Sequence, residues 1–172
     1  MHLTLLQYMD GVARRAVPFG LTLLLMLFAM TPTYAPGLFD VTPMFTLICV
    51  YFWSIYRADL LGYATIFGIG IFEDFLMGTP LGSGALVLLL CQWFVVRQQK
   101  FFNPKPFAIT WMAFAVVAVG ACIIRWLCVG FISPGGFTPI KSLVPVYLLS
   151  VAIYPLVSWV LAKIHMKFLA DQ

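Results

Sequence analysis

The chain has 172 residues, of which 63% are apolar and only 9% are charged, and its mean hydropathy is +1.02. A water-soluble domain usually carries about 25% charged residues, so this composition excludes a soluble enzyme or carrier and indicates an integral membrane protein. The length favours a single membrane domain over residues 1–172.

Long apolar runs follow one another along the chain, separated by short linkers. A membrane-spanning helix needs about 20 mostly apolar residues, and these runs are continuous and do not alternate as the strands of a membrane barrel do. Pro18 suits a first helical turn, and Pro155 should kink the last helix. The sequence therefore predicts an all-α membrane protein with six transmembrane helices, at about 18–34, 41–56, 60–77, 80–96, 107–131 and 142–161.

The lysines and arginines predict the orientation of these helices. With six spans, the N-terminus, the second and fourth loops and the C-terminus share one side, and the opposite side holds only Lys141. Because cationic residues accumulate on the cytoplasmic side, both termini are predicted to be cytoplasmic in a bacterial inner membrane. No loop is large enough to form a basic face for nucleic acid. The first side holds Arg14, Arg15, Arg57, Arg97, Lys100, Lys105, Lys163 and Lys167.

Residues that commonly support catalysis or metal binding are few and scattered. The two histidines, His2 and His165, lie at opposite ends of the sequence, and no serine has a histidine or lysine at an activating spacing. The cysteines lie in apolar runs without paired spacing, which is typical of buried free thiols. The sequence therefore predicts no enzyme activity, no cofactor and no metal. These cysteines are Cys49, Cys91, Cys122 and Cys128.

An aromatic group occupies the end of the second predicted helix. Tyr51, Phe52, Trp53 and Tyr56 follow one another within six residues. Tyrosine and tryptophan are enriched at the two membrane–water interfaces. The position of the group therefore predicts interfacial anchoring in preference to ligand binding.

Two adjacent acidic residues, Glu73 and Asp74, lie in the apolar third helix. Ionisable residues in membrane spans are rare and usually functional. Asp74 shares a helical stripe with Gly70 and Gly78, each four residues away, and small residues in membrane helices indicate close helix approach. Because neighbours on a helix differ by about 100° in direction, Asp74 is predicted to face protein and Glu73 to lie nearer the headgroups.

The sequence offers two partners for Asp74. Thr79 is predicted to cap the fourth helix with Pro80 as its first residue, so that Asp74 could accept hydrogen bonds from the free N–H groups of Gly82 or Ser83. The second partner is Arg125 in the fifth helix, which lies at a similar depth and would form an intramembrane ion pair. Asp74 could therefore fasten the turn or take part in partner recognition. Proton handling needs several acids or histidines within the spans, which this chain lacks.

The same stretch resembles the signature of the family of the rod shape-determining protein MreD, as does the aromatic group upstream. The resemblance is specific over about residues 43–90. Its motif residues, Gly70, Asp74, Gly78, Pro80, Leu81 and Gly82, are candidates for a structural or partner-binding role. The full pattern is Gly70-Ile71-x-x-Asp74-x-x-x-Gly78-x-Pro80-Leu81-Gly82-x-x-Ala85-Leu86.

The resemblance implies a role in cell elongation, rod shape and lateral peptidoglycan synthesis. It implies a non-catalytic membrane scaffold whose partners are an MreC-like single-span protein, a RodA-type polymerase with its transpeptidase, and the actin-like MreB filament. It also implies a fold similar to the substrate-binding membrane subunits of energy-coupling-factor vitamin transporters. A vitamin-uptake subunit is therefore the alternative function, although the first helix lacks the alanine pair, four residues apart, that such subunits tend to show.

Overall fold

The computed structural model describes residues 18–29, 42–98, 106–132 and 136–169, with side chains up to residue 167. These residues form six α-helices and no strand, which confirms the predicted all-α class for the described part of the chain. The helices are α1 (Pro18–Ala29), α2 (Phe45–Tyr56), α3 (Tyr63–Met77), α4 (Ser83–Arg97), α5 (Phe107–Ile132) and α6 (Leu143–Leu169), the last preceded by a 3₁₀ turn at Ile140–Ser142.

Two of these helices are long and apolar enough to cross a membrane. Helix α5 has 26 residues with hydropathy 2.4, and the helical segment Ile140–Lys167 has 28 residues with hydropathy 1.9. Helices α1, α2 and α4 are apolar but shorter. Six transmembrane helices therefore remain a prediction, and residues 30–34 of the first predicted span lie outside the described residues.

The second and third helices begin four and three residues after the approximate starts of their predicted spans. The second helix begins at Phe45 instead of residue 41, although residue 41 itself lies outside the described part. The third begins at Tyr63 instead of residue 60, since Leu60 N–H donates to Arg57 O and closes a turn there. At the third helix a local turn therefore shortens a helix that the apolar run alone would extend.

Helix α2 is the centre of the core and packs against α4 and α6. Ten of its twelve residues are buried, and Tyr51 and Trp53 are fully buried. Tyr51 donates to Thr110 O over 2.9 Å, and its ring meets Phe114 edge-on at 5.2 Å. Interfacial anchoring is therefore the wrong interpretation for most of the aromatic group, because only Tyr56 is exposed.

Helix α6 continues through Pro155. Proline has no N–H, so the carbonyl of Val151, four residues earlier, has no intrahelical partner. The indole Nε1–H of Trp111 on α5 donates to that Val151 carbonyl over 3.0 Å. One side chain of the neighbouring helix therefore compensates for the proline and joins α5 to α6.

Replacing Trp111 with phenylalanine is expected to lower the free energy of unfolding by about 1 kcal/mol, the net value of one hydrogen bond. In a Pro155→Ala background the Val151 carbonyl regains a backbone donor, so the same replacement should cost much less. Thermal unfolding of the four proteins in detergent measures this difference. Equal losses in both backgrounds would contradict the assignment.

Large apolar side chains cover the outside of the helices. The exposed fraction is 74% for Phe75, 70% for Val116 and 67% for Leu156. Soluble monomers rarely expose contiguous apolar patches of this kind. The outer surface is therefore suited to hydrocarbon, and the polar groups that need partners lie inside the helix bundle.

Candidate functional site

The candidate site is the turn that joins α3 to α4. Helix α3 ends where Gly78 adopts a left-handed conformation with φ of 65°, and the N–H groups of Gly78 and Thr79 both donate to Asp74 O. Gly82 then adopts φ of 99° directly before α4 begins at Ser83. Residues with a Cβ rarely adopt either backbone conformation, so both glycines are needed for the chain to follow this turn.

The predicted start of α4 is wrong by three residues. Thr79 does not cap the helix and Pro80 is not its first residue, because the chain makes one more turn in which Ser83 N–H donates to Pro80 O. The N-cap is Gly82, which has no side chain and so cannot supply a capping oxygen. A carboxylate from α3 supplies the missing acceptor.

That carboxylate belongs to Asp74, which is fully buried. Its Oδ2 accepts from Gly82 N–H at 2.9 Å, and both oxygens accept from Gly84 N–H at 2.9 Å. Its Oδ1 also accepts from the hydroxyls of Thr79 at 2.8 Å and Ser83 at 3.0 Å. The first N–H groups of a helix lack intrahelical partners and attract negative charge, so Asp74 satisfies the start of α4 from outside.

This geometry favours the interpretation that Asp74 fastens the turn between α3 and α4. A carboxylate offers about four acceptor positions, and four separate donor groups point at this one. A proton carrier would have to release these donors in order to bind a proton on the same oxygens. The arrangement is therefore suited to holding two helices together.

Two glycines permit the helices to approach so closely. A Cβ built at Gly70 would lie 2.6 Å from Ala85 N, and a Cβ at Gly84 would lie 2.7 Å from Asp74 Oδ1. By contrast, a Cβ at Gly78 would meet no atom within 4 Å. The predicted stripe is therefore a packing face at Gly70, whereas Gly78 is required for its backbone conformation.

Arg125 contacts Glu73 and not Asp74, so the predicted Asp74–Arg125 ion pair is wrong. Arg125 Nη1 lies 3.0 Å from Glu73 Oε1, and the side chains are 21% and 7% exposed. Asp74 faces α4 and its oxygens are already used, while Glu73 points about 100° away around α3. Glu73 is thus buried against Arg125 instead of lying at the headgroups.

Neutralising either partner of this pair should destabilise the fold, and the two effects should not add. Glu73→Gln leaves Arg125 without a counter-ion, and Arg125→Gln does the same for Glu73, which is costly for buried charges. Removing both together should cost less than the sum of the two by about 1 kcal/mol or more. Thermal unfolding of the single and double variants tests the coupling; additive losses would show that the two side chains do not interact.

The remaining motif residues lie at the tip of the turn. Leu81 is 66% exposed, and Pro80 is half-buried and supplies the carbonyl that accepts from Ser83 N–H. Sequence reasoning missed Gly84, whose N–H reaches both Asp74 oxygens. The Gly82-Ser83-Gly84 run was the available signal, because small residues let backbone N–H groups approach an acid.

The polar groups of the site are hydrogen-bond donors, hydrogen-bond acceptors and one ion pair. Within the ranges described, no three His, Cys, Asp or Glu side chains lie close enough together to hold a metal ion. The four cysteines are free thiols, three of them buried.

Comparison with known proteins identifies the family to which the sequence is similar. The family model of the rod shape-determining protein MreD matches residues 13–167. The match includes all six helices of the described structure up to Lys167 and the whole α3–α4 turn. No curated protein and no solved structure matches the chain.

Proposed function

The chain belongs to the family of the rod shape-determining protein MreD, and from this we propose that it is a non-catalytic scaffold of the bacterial cell-elongation machinery. Family membership implies a membrane protein with a role in rod shape determination. The observation that carries the proposal is the extent of the match, residues 13–167. The scaffold would support lateral peptidoglycan synthesis by binding partner membrane proteins.

We propose that all six helices form one domain in the inner membrane, with both termini cytoplasmic. The lysine and arginine distribution favours this orientation, and the exposed apolar side chains of α3, α5 and α6 favour contact with lipid. The short helix α2 does not contradict it, because its residues are buried among other helices. Non-helical backbone is tolerated at membrane depth where protein surrounds it.

The proposed partners are an MreC-like single-span protein, a RodA-type polymerase with its transpeptidase, and the MreB filament. Helix faces and short loops would carry the contacts, since no soluble domain is predicted. On α3, Asp74 and Gly70 are buried and act on the fold, whereas Leu81 is exposed at the tip of the turn. Among the motif residues, Leu81 is therefore the one best placed to contact a partner.

Co-purification of the tagged chain with its MreC-like partner tests the scaffold proposal. The wild-type protein should retain the partner in mild detergent, and Leu81→Ser should reduce capture without lowering the folded yield. Leu86→Ser is the matched control, because Leu86 is also exposed but lies on the body of α4. A chain that ignores the partner and instead carries a tightly bound vitamin would overturn the proposal.

A further inference from the structure

The Glu73–Arg125 pair lies on the wall of a cavity between the described helices. The cavity has a volume of about 240 Å³. Glu73 lies one turn before the end of α3, and Arg125 lies two turns before the end of α5. The cavity is otherwise lined largely by apolar side chains, among them Phe45, Met77 and Val146.

Both members of the pair have unused hydrogen-bonding capacity. Arginine has five N–H donors and a carboxylate has two acceptor oxygens. Among the described residues, the Arg125 guanidinium makes one hydrogen bond, from Nη1 to Glu73 Oε1. The Arg125 side chain is 21% exposed, so the guanidinium can also bond a polar occupant of the cavity.

Two polar side chains beside the pair are already engaged by other groups of the described structure. Trp126 lines the cavity, but its indole N–H donates to Thr138 O over 2.8 Å. Asp74 lies on the neighbouring face of α3 and is occupied by the α3–α4 turn. Among the described residues, the pair thus presents a cationic donor and an anionic acceptor side by side to the cavity.

The two opposite charges of the pair favour a ligand that carries both a negative and a positive group. A phosphate matches the planar fork of Arg125, and a primary ammonium matches the free oxygen of Glu73. The volume is below the roughly 300–1,000 Å³ of sites for drug-sized ligands, so it admits a fragment of headgroup size. The apolar lining is suited to the hydrocarbon attached to such a group.

We propose that this cavity binds the phosphate–ammonium headgroup of a membrane phospholipid, with the phosphate at Arg125 and the ammonium at Glu73. The proposal uses the membrane orientation proposed above, in which the cavity lies near the outer ends of α3 and α5. A headgroup from the outer leaflet reaches this depth by descending one to two helical turns beside the protein.

Native mass spectrometry of the purified full chain tests the proposal. Phosphatidylethanolamine and phosphatidylglycerol with identical acyl chains are titrated separately, and soluble phosphoethanolamine is added as a competitor. Wild-type protein should bind phosphatidylethanolamine about tenfold more tightly than phosphatidylglycerol, and Arg125→Gln should lose about tenfold because charge-assisted hydrogen bonds are removed. Arg97→Gln is the control, since Arg97 is an exposed arginine that does not line the cavity.

A second variant keeps the test decisive if Arg125→Gln does not fold. Thr138 is exposed and lines the cavity, so Thr138→Trp should fill it, spare the ion pair and lower phosphatidylethanolamine binding by a similar factor. Equal affinity for both lipids, or unchanged binding in Thr138→Trp, would overturn the proposal. Effective competition by soluble phosphoethanolamine at equal concentration would overturn the lipid as the source. Capture of the MreC-like partner is measured separately, so a failure of lipid binding and a failure of partner binding can be told apart.

Discussion

Asp74→Ala is expected to lower the free energy of unfolding by about 3–5 kcal/mol, because each buried donor left without its acceptor costs about 1–3 kcal/mol. The change leaves the N–H groups of Gly82 and Gly84 and the hydroxyls of Thr79 and Ser83 without their acceptor. Because the Ser83 hydroxyl and the Gly84 N–H are buried, water cannot replace the carboxylate there at low cost. Folded yield by fluorescence-detected size exclusion, together with thermal unfolding in detergent, measures the loss.

The matched control is Asp59→Ala, which also removes an aspartate beside a helix. The Asp59 side chain is 78% exposed and lies 3.7 Å from Arg57, and exposed pairs of this kind contribute little. Asp59→Ala should therefore fold like the wild type, and Glu73→Ala should be less harmful than Asp74→Ala. Wild-type yield for Asp74→Ala combined with lost partner capture would contradict the fold-fixing role and favour recognition.

Gly70→Ala is expected to force α3 and α4 apart and to cost about 3 kcal/mol, the upper end of the range for overpacking a core. The new Cβ would lie 2.6 Å from Ala85 N. Backbone cannot move aside as a flexible side chain does, and any shift of Ala85 also moves Gly84, which is bonded to Asp74. A lower unfolding temperature and a lower folded yield are the expected results.

Gly68→Ala provides a control on the same helix, two residues away. A Cβ at Gly68 would meet no atom within 4 Å, and alanine within a helix is more stable than glycine by about 0.5–1 kcal/mol. Gly68→Ala should therefore be neutral or stabilising. Equal behaviour of the two variants would show that α3 and α4 are not in close backbone contact at Gly70.

Some of this site could be predicted because it depends on local periodicity. The four-residue spacing of Gly70 and Asp74 places them on one face of any α-helix, and only a protein-facing carboxylate suits a membrane helix. From this spacing the orientation of Asp74 toward α4 was predictable. The left-handed conformation of Gly82 was not, because Thr79-Pro80 is itself a normal start for a helix.

The features that could not be predicted depend on contacts between helices that are distant in the sequence. Glu73 and Asp74 have nearly the same depth, so depth could not decide which of them meets Arg125; the rotation of α3 against α5 decides it. The burial of Tyr51 and Trp53 was also beyond the sequence, because α2 is apolar on all sides and has no periodic signal that separates a core helix from an interfacial one.

These contacts between helices are what the proposed scaffold role would need. A membrane protein that acts by presenting surfaces needs fixed relative positions for its helices. Asp74 fixes α4 against α3, Tyr51 joins α2 to α5, and Trp111 joins α5 to α6. Each of these bonds joins a side chain to backbone groups of a neighbouring helix, so contacts within the bundle hold the described helices in position.

Depletion of this protein in its own bacterium tests the central claim most directly. Cell shape is followed by microscopy while the MreC-like partner is captured from the same cells through a tagged, inducible copy of the chain. Depletion should turn rods into round cells, and re-expression of the wild-type chain should restore both rod shape and partner capture. Cells that remain rod-shaped after the protein has been lost from the membrane would contradict the account.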